Sequence, residues 1–346
     1  MTSRTTIHMA GLALAAGIGL LLPGAARAQG DLVVYCTVQE EWCRAMVTAF
    51  EKKTGIKVAM TRKSSGELYA QIKAEAANPK GDIWWGGTGD PHLQAAEEGL
   101  SLEYTSPMNK DLHPWAIKQW EQSKKRTIGV YAGALGYGYN TKQIAEKKIA
   151  EPKCWSDLLD PKLKDEVQVA DPNSSGTSYT MLATMVQLLG EDKGFDYMKK
   201  LHKNVNQYTK SGAAPAKAVS LGESAVGITF QHDMVTFIVQ GAPMKVVAPC
   251  EGTGYEIGSM TLIKGAKNLE NAKKWYDWAL TPEAQELGAG AKAYQVPSNK
   301  NSKTPPEAPD FAKIKFIDYD FAKYGSSAER TRLLAKWDAE VKNLPK

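Results

Sequence analysis

Short apolar runs alternate with amphipathic stretches along the chain, and their order predicts an α/β fold. Asp31-Leu32-Val33-Val34-Tyr35-Cys36 is an unbroken apolar run of strand length, the pattern of a strand buried on both faces. From Glu40 to about Thr54, Trp42, Met46, Val47, Ala49 and Phe50 fall on one helical face, and Gly55 stands where a C-cap belongs. Ile56 to Thr61 reads as a second strand. Ser64-Ser65-Gly66-Glu67 is a helix-start signal for a segment running to Ala77, before Pro79. Ile83-Trp84-Trp85 is a third strand, and Gly86-Gly87-Thr88-Gly89-Asp90-Pro91 turns into a helix over His92 to Glu98. Strand, helix, strand, helix, strand implies a parallel sheet.

The segment from Thr127 to Asn140 is different. It alternates small and aromatic residues with interspersed glycines, which suits long strands running between two lobes. Further strands are expected at Glu166 to Ala170, Ala225 to Phe230, Lys245 to Ala248 and Ser259 to Ile263. Helices are expected at Ser178 to Leu189, Asn268 to Leu280, Pro282 to Gly288 and Ala328 to Val341.

The first 28 residues stand apart from this pattern. Arg4 precedes the apolar run Leu12 to Leu22, Pro23 breaks it, and Ala26-Arg27-Ala28 has the small-x-small form of a cleavage site. This is expected to be a signal peptide, too short to span a bilayer, on a soluble exported protein. The net charge is +5, two units of it from Arg4 and Arg27. That is too mild a balance to imply nucleic acid, and no basic stretch is interleaved with aromatics. The 43% hydrophobic content excludes a disordered chain, and four cysteines in 346 residues exclude a disulfide-stapled miniprotein. Those four allow three pairings. Cys36 ends a strand and Cys43 lies one turn into the next helix, so a local Cys36–Cys43 bridge is sterically feasible and leaves Cys154 with Cys250; free buried thiols are the alternative. Their spacing fits no structural zinc pattern.

Several Ser/Thr/Gly clusters lie at strand ends and open helices: Thr37, Ser64-Ser65-Gly66, Gly87-Thr88-Gly89 and Ser174-Ser175-Gly176-Thr177. Ligands of open parallel sheets bind beyond the carboxyl ends of the strands. Helix N-termini offer free N–H groups and partial positive charge there, which suits phosphate. Each cluster alone reads equally as an N-cap. His232 and Asp233, after a strand, form a donor–acceptor pair suited to sugar hydroxyls. Glu256, read as preceding the strand at Gly258, adds an acceptor. No arginine stands out beside these clusters. No nucleophile elbow, HExxH, P-loop or GxGxxG is present, which favours a binding protein over an enzyme.

The segments VQEEWCRAMVTAFEKKTGIKV, SSGELYAQIKAEAANPKGDIWWGG, GALGYGYNTKQ, PKCWSDLLDPKLKDEVQVADPNSSGT and LTPEAQELGAGAKAYQVPSN resemble the ferric-ion-binding group of periplasmic solute-binding proteins. The resemblance implies the type II two-lobed α/β fold, with ligand in the interlobe cleft and closure by a hinge. Lobe one would comprise residues 29–130 and 262–346, and lobe two 131–261. It also implies a monomer that docks on an ABC permease in the inner membrane, without a cofactor. The iron-binding pattern is not met. The first loop, Thr37-Val38-Gln39-Glu40, lacks a His, no carboxylate follows Trp85, and Gln231-His232-Asp233 stands where two tyrosines are expected. Fe³⁺ requires anionic oxygen ligands. What remains resembles the branch that binds hexose phosphates. His232, Asp233 and Glu256 then hold sugar hydroxyls, and Ser175, Gly176, Thr177, Thr37, Ser65 and Thr88 hold phosphate. The alternatives are 2-aminoethylphosphonate or another small organophosphate, ferric ion, and an exported hydrolase using Asp233 and Glu256 as acid and base.

Overall fold

The computed structural model describes residues 1–2 and 31–345. The expected signal peptide, residues 1–28, therefore lies outside the described residues beyond its first two. The opening elements follow the expected order: β1 (Leu32–Cys36), α1 (Glu40–Thr54), β2 (Val58–Arg62), α2 (Ser65–Ala74), β3 (Ile83–Trp85) and α3 (Gly89–Glu97). Gly55 ends α1 in the left-handed conformation, its N–H donating to the Glu51 carbonyl. α4 (Pro114–Gln122), β4 (Ile128–Asn140) and α5 (Thr141–Glu146) come next. They are followed by β5 (Val167–Ala170), α6 (Gly176–Leu189), α7 (Glu191–His202), β6 (Val205–Thr209), α8 (Ala214–Leu221), β7 (Val226–Phe230) and α9 (Gln231–Ile238). The remainder comprises β8 (Met244–Val247), β9 (Tyr255–Leu262), α10 (Leu269–Ala279), α11 (Pro282–Gln285), α12 (Leu287–Gly290), β10 (Val296–Pro297), α13 (Phe321–Tyr324) and α14 (Ser327–Trp337).

The strands run in the order β2-β1-β3-β9-β4-β7-β5-β6, with β8 and β10 also pairing to β4. β1 is parallel to β2 and β3, and β5 is parallel to β6 and β7. Between these two parallel sets lies the antiparallel pair of β4 and β9. β4 is the long crossing strand that the glycine–aromatic pattern predicted. From Ile128 to Ala134 it pairs with β9, and from Leu135 to Tyr139 with β7.

Each parallel set has its own core. Leu32, Val34, Trp42, Phe50, Trp85, Trp275 and Trp278 fill one, and Trp155, Tyr179, Phe195, Val226 and Phe230 fill the other. Both Trp84 and Trp85 are buried, Trp85 packing edge-on against Trp42. The end of the chain, expected with the first lobe, adds Tyr319, Leu333, Trp337 and Val341 to the second core. Arg332 reaches Glu191 at 2.8 Å, and Lys342 reaches Asp171 at 2.7 Å, along the same contact. The disulfides are Cys36–Cys43 and Cys154–Cys250. No helix among the described residues is long and apolar enough to cross a membrane.

Candidate ligand-binding site

Five helices begin at one cavity. Gln39, Ser64, Thr88, Ser175 and Phe230 are the N-caps of α1, α2, α3, α6 and α9, and all five line the same narrow cavity of about 50 Å³. The cause lies in the topology. β1, β2, β3, β5 and β7 deliver the chain to the same side of the sheet, and a helix opens soon after each. Each N-terminus carries roughly half a positive charge and N–H groups without helical partners. The Cys36–Cys43 bridge brackets the Thr37–Gln39 loop at this point.

All nine sequence-predicted residues lie on the cavity wall. Ser175 caps α6 by accepting from the Ser178 N–H at 3.3 Å, and Gly176 and Thr177 form the first turn of that helix. Ser64 N donates to Glu67 Oε2 at 3.3 Å, which closes the start of α2 and leaves Ser65 facing the cavity. The Thr88 hydroxyl is buried with no hydrogen-bond partner among the described residues. Thr37 differs from the others. Its hydroxyl donates to the Gly86 carbonyl and accepts from Trp84 Nε1 at 3.1 Å, so its proton is committed to the fold. Gly87, at φ +81°, comes so close that a side chain there would strike the Thr37 and Ser65 hydroxyls.

His232 and Asp233 open α9 rather than extending a loop, and Glu256 is the second residue of β9, not part of the turn before it. Pairing with Gly133 of β4 carries β9 back to Glu256. A Cβ on Gly133 would lie 2.6 Å from the His232 ring, so this glycine makes room for the imidazole. His232 Nε2 stands 3.8 Å from Glu256 Oε1 and 3.9 Å from Asp233 Oδ1, and its Nδ1 is buried without a partner among the described residues. Burial pulls the imidazole pKa below its ordinary value, against the opposing pull of Asp233. Burial, reinforced by Asp233 and Asp90, holds the Glu256 carboxyl well above its own. Asp233 Oδ2 accepts from Thr229 Oγ1 at 2.8 Å, and Oδ1 accepts from Gln39 Nε2 at 2.6 Å. The site thus joins neutral hydroxyl and amide donors to a neutral imidazole and two carboxyl groups. That set suits a phosphate carrying a hydroxylated body.

Ser64, named in its cluster but not assigned to phosphate, is also on the wall, and the reading of the sequence missed Gln39 and Arg62 there. Arg62 corrects the expectation that no arginine stands near. It is the last residue of β2, directly across from Cys36 in register, and its place at the carboxyl end of a parallel strand was the available signal. Gln39 matters because it links the two sides of the cavity through Asp233. Further links are the Gly66 N–H to the Ser174 carbonyl at 3.0 Å, Thr236 Oγ1 to the Lys292 carbonyl at 2.8 Å, and Thr88 packed on Gly176.

The raised Glu256 pKa sets a pH dependence. As pH climbs past 4.5 the unfolded chain gives up this proton while the folded protein keeps it, so Glu256 subtracts increasingly from stability on the alkaline side. His232 has the opposite sign, subtracting stability as pH falls below 6.5. Glu256→Gln should raise the melting temperature of the ligand-free protein, and by more at pH 8 than at pH 6. Parallel melting curves at the two values, with an equal offset or none, would refute this.

The fold and site define a two-lobed α/β receptor with its ligand between the lobes. The profile of the bacterial extracellular solute-binding proteins matches residues 88–324, and the chain belongs to that family. Its structure superposes on the periplasmic binding protein AfuA of Actinobacillus pleuropneumoniae, with exogenous fructose 6-phosphate bound, at a TM-score of 0.87 and 46% identity, covering 90% of this chain and 99% of that one. The periplasmic binding protein P5PA gives 0.87 and 42% with the same coverage. The major ferric iron-binding protein of Neisseria meningitidis serogroup B is 23% identical over 96% of this chain and 98% of its own. The chain is thus a periplasmic solute-binding component of an ABC importer, of the ferric-binding-protein-like group, and its relatives are binding proteins rather than enzymes.

Proposed function

We propose that the protein captures a phosphorylated hexose, such as glucose 6-phosphate, and delivers it as a monomer to an inner-membrane ABC permease. The convergence of five helix N-termini on a hydroxyl-lined cavity, with the Thr88 hydroxyl unengaged, beside His232, Asp233 and Glu256, carries this reading. Phosphate meets Ser65, Thr88 and Ser175-Gly176-Thr177, with Thr37 shaping the wall, and the sugar hydroxyls meet His232, Asp233 and Glu256. The likeness to AfuA supports the same solute class. In this reading residues 29–130 and 262–346 form one lobe and 131–261 the other, with the chain end laid across onto the second. Gln39 bridges the cavity to Asp233 at 2.6 Å, so a hexose phosphate enters with the lobes apart and this bond released. No tyrosine lines the cavity among the described residues, which weighs against ferric ion.

Calorimetry should find binding of hexose phosphates that exceeds that of free hexoses, inorganic phosphate, 2-aminoethylphosphonate and Fe³⁺. Asp233→Ala should weaken hexose phosphate binding by about 1.5–3 kcal/mol, the value of hydrogen bonds to a charged group. Preference for the phosphonate or for iron, or release of inorganic phosphate from a bound ester, would overturn the proposal. Unchanged affinity in the variant would remove Asp233 from the site.

A further inference from the structure

The described chain contains five arginines, and four of them are engaged. Arg44 pairs with Glu40, Arg126 with Glu103 and Arg332 with Glu191. Arg330 is buried over the Tyr179 ring, 4.7 Å from its centroid. Arg62 is the exception. Its Nε donates to the Val38 carbonyl at 3.0 Å, which fixes the guanidinium beside the Thr37–Gln39 loop. It joins none of the ion pairs or ring contacts found among the described residues, and its remaining N–H groups are uncommitted. It is also the one lysine or arginine on the wall of the inner cavity. Outside that cavity lies a groove of about 570 Å³ between the two lobes, and Gln39, Arg62, Ala213 and Asp233 line both spaces. Arg62 therefore stands where a solute passes from groove to cavity.

The electrostatics of the inner cavity call for such a group. Its hydroxyl and N–H donors are neutral, and the Asp233 carboxylate faces the same space. Arg62 aside, a phosphate ester dianion brought there is repelled by Asp233 and attracted only by partial charges. A guanidinium at the threshold supplies a full positive charge, in a planar fork that matches phosphate oxygens.

We propose that Arg62 is the charge-selecting residue of the cleft, drawing phosphate esters in from the groove and giving them preference over the corresponding neutral sugars. This rests on the phosphorylated-hexose reading and adds to it the one fully charged donor on a wall whose other donors are neutral. Arg62 acts first at long range, so its effect is carried in the association rate and is screened by salt.

The test compares wild type, Arg62→Gln and Arg62→Lys, with glucose 6-phosphate and glucose as probes, by stopped-flow and calorimetry at low and physiological salt. Melting curves check that each variant is folded. Arg62→Gln should lose about ten- to hundred-fold in affinity for glucose 6-phosphate, slow its association, flatten the salt dependence, and narrow its preference over glucose. Arg62→Lys should restore the salt dependence and part of the affinity. Wild-type affinity and salt dependence in a folded Arg62→Gln protein would overturn the proposal while leaving the hexose-phosphate reading intact. Failure of the wild-type protein itself to bind glucose 6-phosphate would overturn that reading, and this proposal with it.

Discussion

Gly176→Ala should weaken solute capture by about ten- to hundred-fold while leaving the ligand-free protein at least as stable as the wild type. Gly176 begins α6 and faces Thr88, the N-cap of α3, which the proposed division places in opposite lobes. A methyl group at 176 would run into the Thr88 hydroxyl and lie 2.9 Å from its Cβ and 3.0 Å from its Cγ2. Threonine is branched at Cβ and cannot swing all three atoms aside by rotation. In the proposed open form, with the lobes apart, the clash is relieved. At this first helical position alanine is no worse a helix former than glycine. The penalty of about 1–3 kcal/mol for overpacking therefore falls on closure, and so on affinity. Calorimetry gives the loss of affinity, and small-angle scattering should show that ligand no longer compacts the variant as it does the wild type. Wild-type affinity together with wild-type compaction would mean that Thr88 and Gly176 do not meet in the bound state.

Replacing both Cys154 and Cys250 by serine should lower unfolding stability by about 2–5 kcal/mol and leave affinity nearly unchanged. The bridge spans a sequence separation of 96, against 7 for Cys36–Cys43. Chain entropy assigns about 4–5 kcal/mol to the longer loop and about 2–3 to the shorter. Contacts around the bridge hold the ends together in part. The Trp155 N–H donates to Glu251 Oε2 at 2.7 Å, and its indole N–H to the Gly252 carbonyl at 3.0 Å. The loss should therefore fall below the full entropic figure. Neither cysteine lines the cavity, which is why binding should survive. Urea unfolding of the double variant tests the first claim and calorimetry the second; an unshifted urea midpoint would show that the bridge constrains nothing the fold does not already hold.

The parts of the molecule legible in the sequence are those written locally. The apolar run before Cys36, the amphipathic face of α1 and the glycine after it each carry their own signal, and the structure follows them within a few residues. The candidate residues at 65, 88 and 175–177 were legible because a cap and an anion site ask for the same hydroxyls at the same place. What stayed hidden depends on distant partners. Arg62 closes an unremarkable strand and looks like a solvated charge until β1 is laid beside it. Glu256 follows a glycine-rich turn, and only its pairing with Gly133 shows that the strand has already begun. Thr37 was found at the cavity, but the use of its hydroxyl depends on Trp84 and Gly86, which no local pattern reveals. The packing of Leu333 and Trp337 against the second core is likewise a matter of docking rather than of helical period.

The two strands that cross the molecule also decide how it can be taken apart. Every residue of β4 is buried, as is every residue of β9 except Tyr255, and each is hydrogen-bonded to neighbours along its length. These crossings offer no exposed, extended tether for a protease to cut, since nicking favours mobile and exposed backbone. Cutting β4 or β9 requires pulling a core strand out of the sheet, which approaches complete unfolding. Digestion should therefore trim surface loops and leave the halves joined. For the same reason neither half can be prepared alone without presenting a raw sheet edge, and a reporter domain inserted between the lobes would have no permissive seam to occupy.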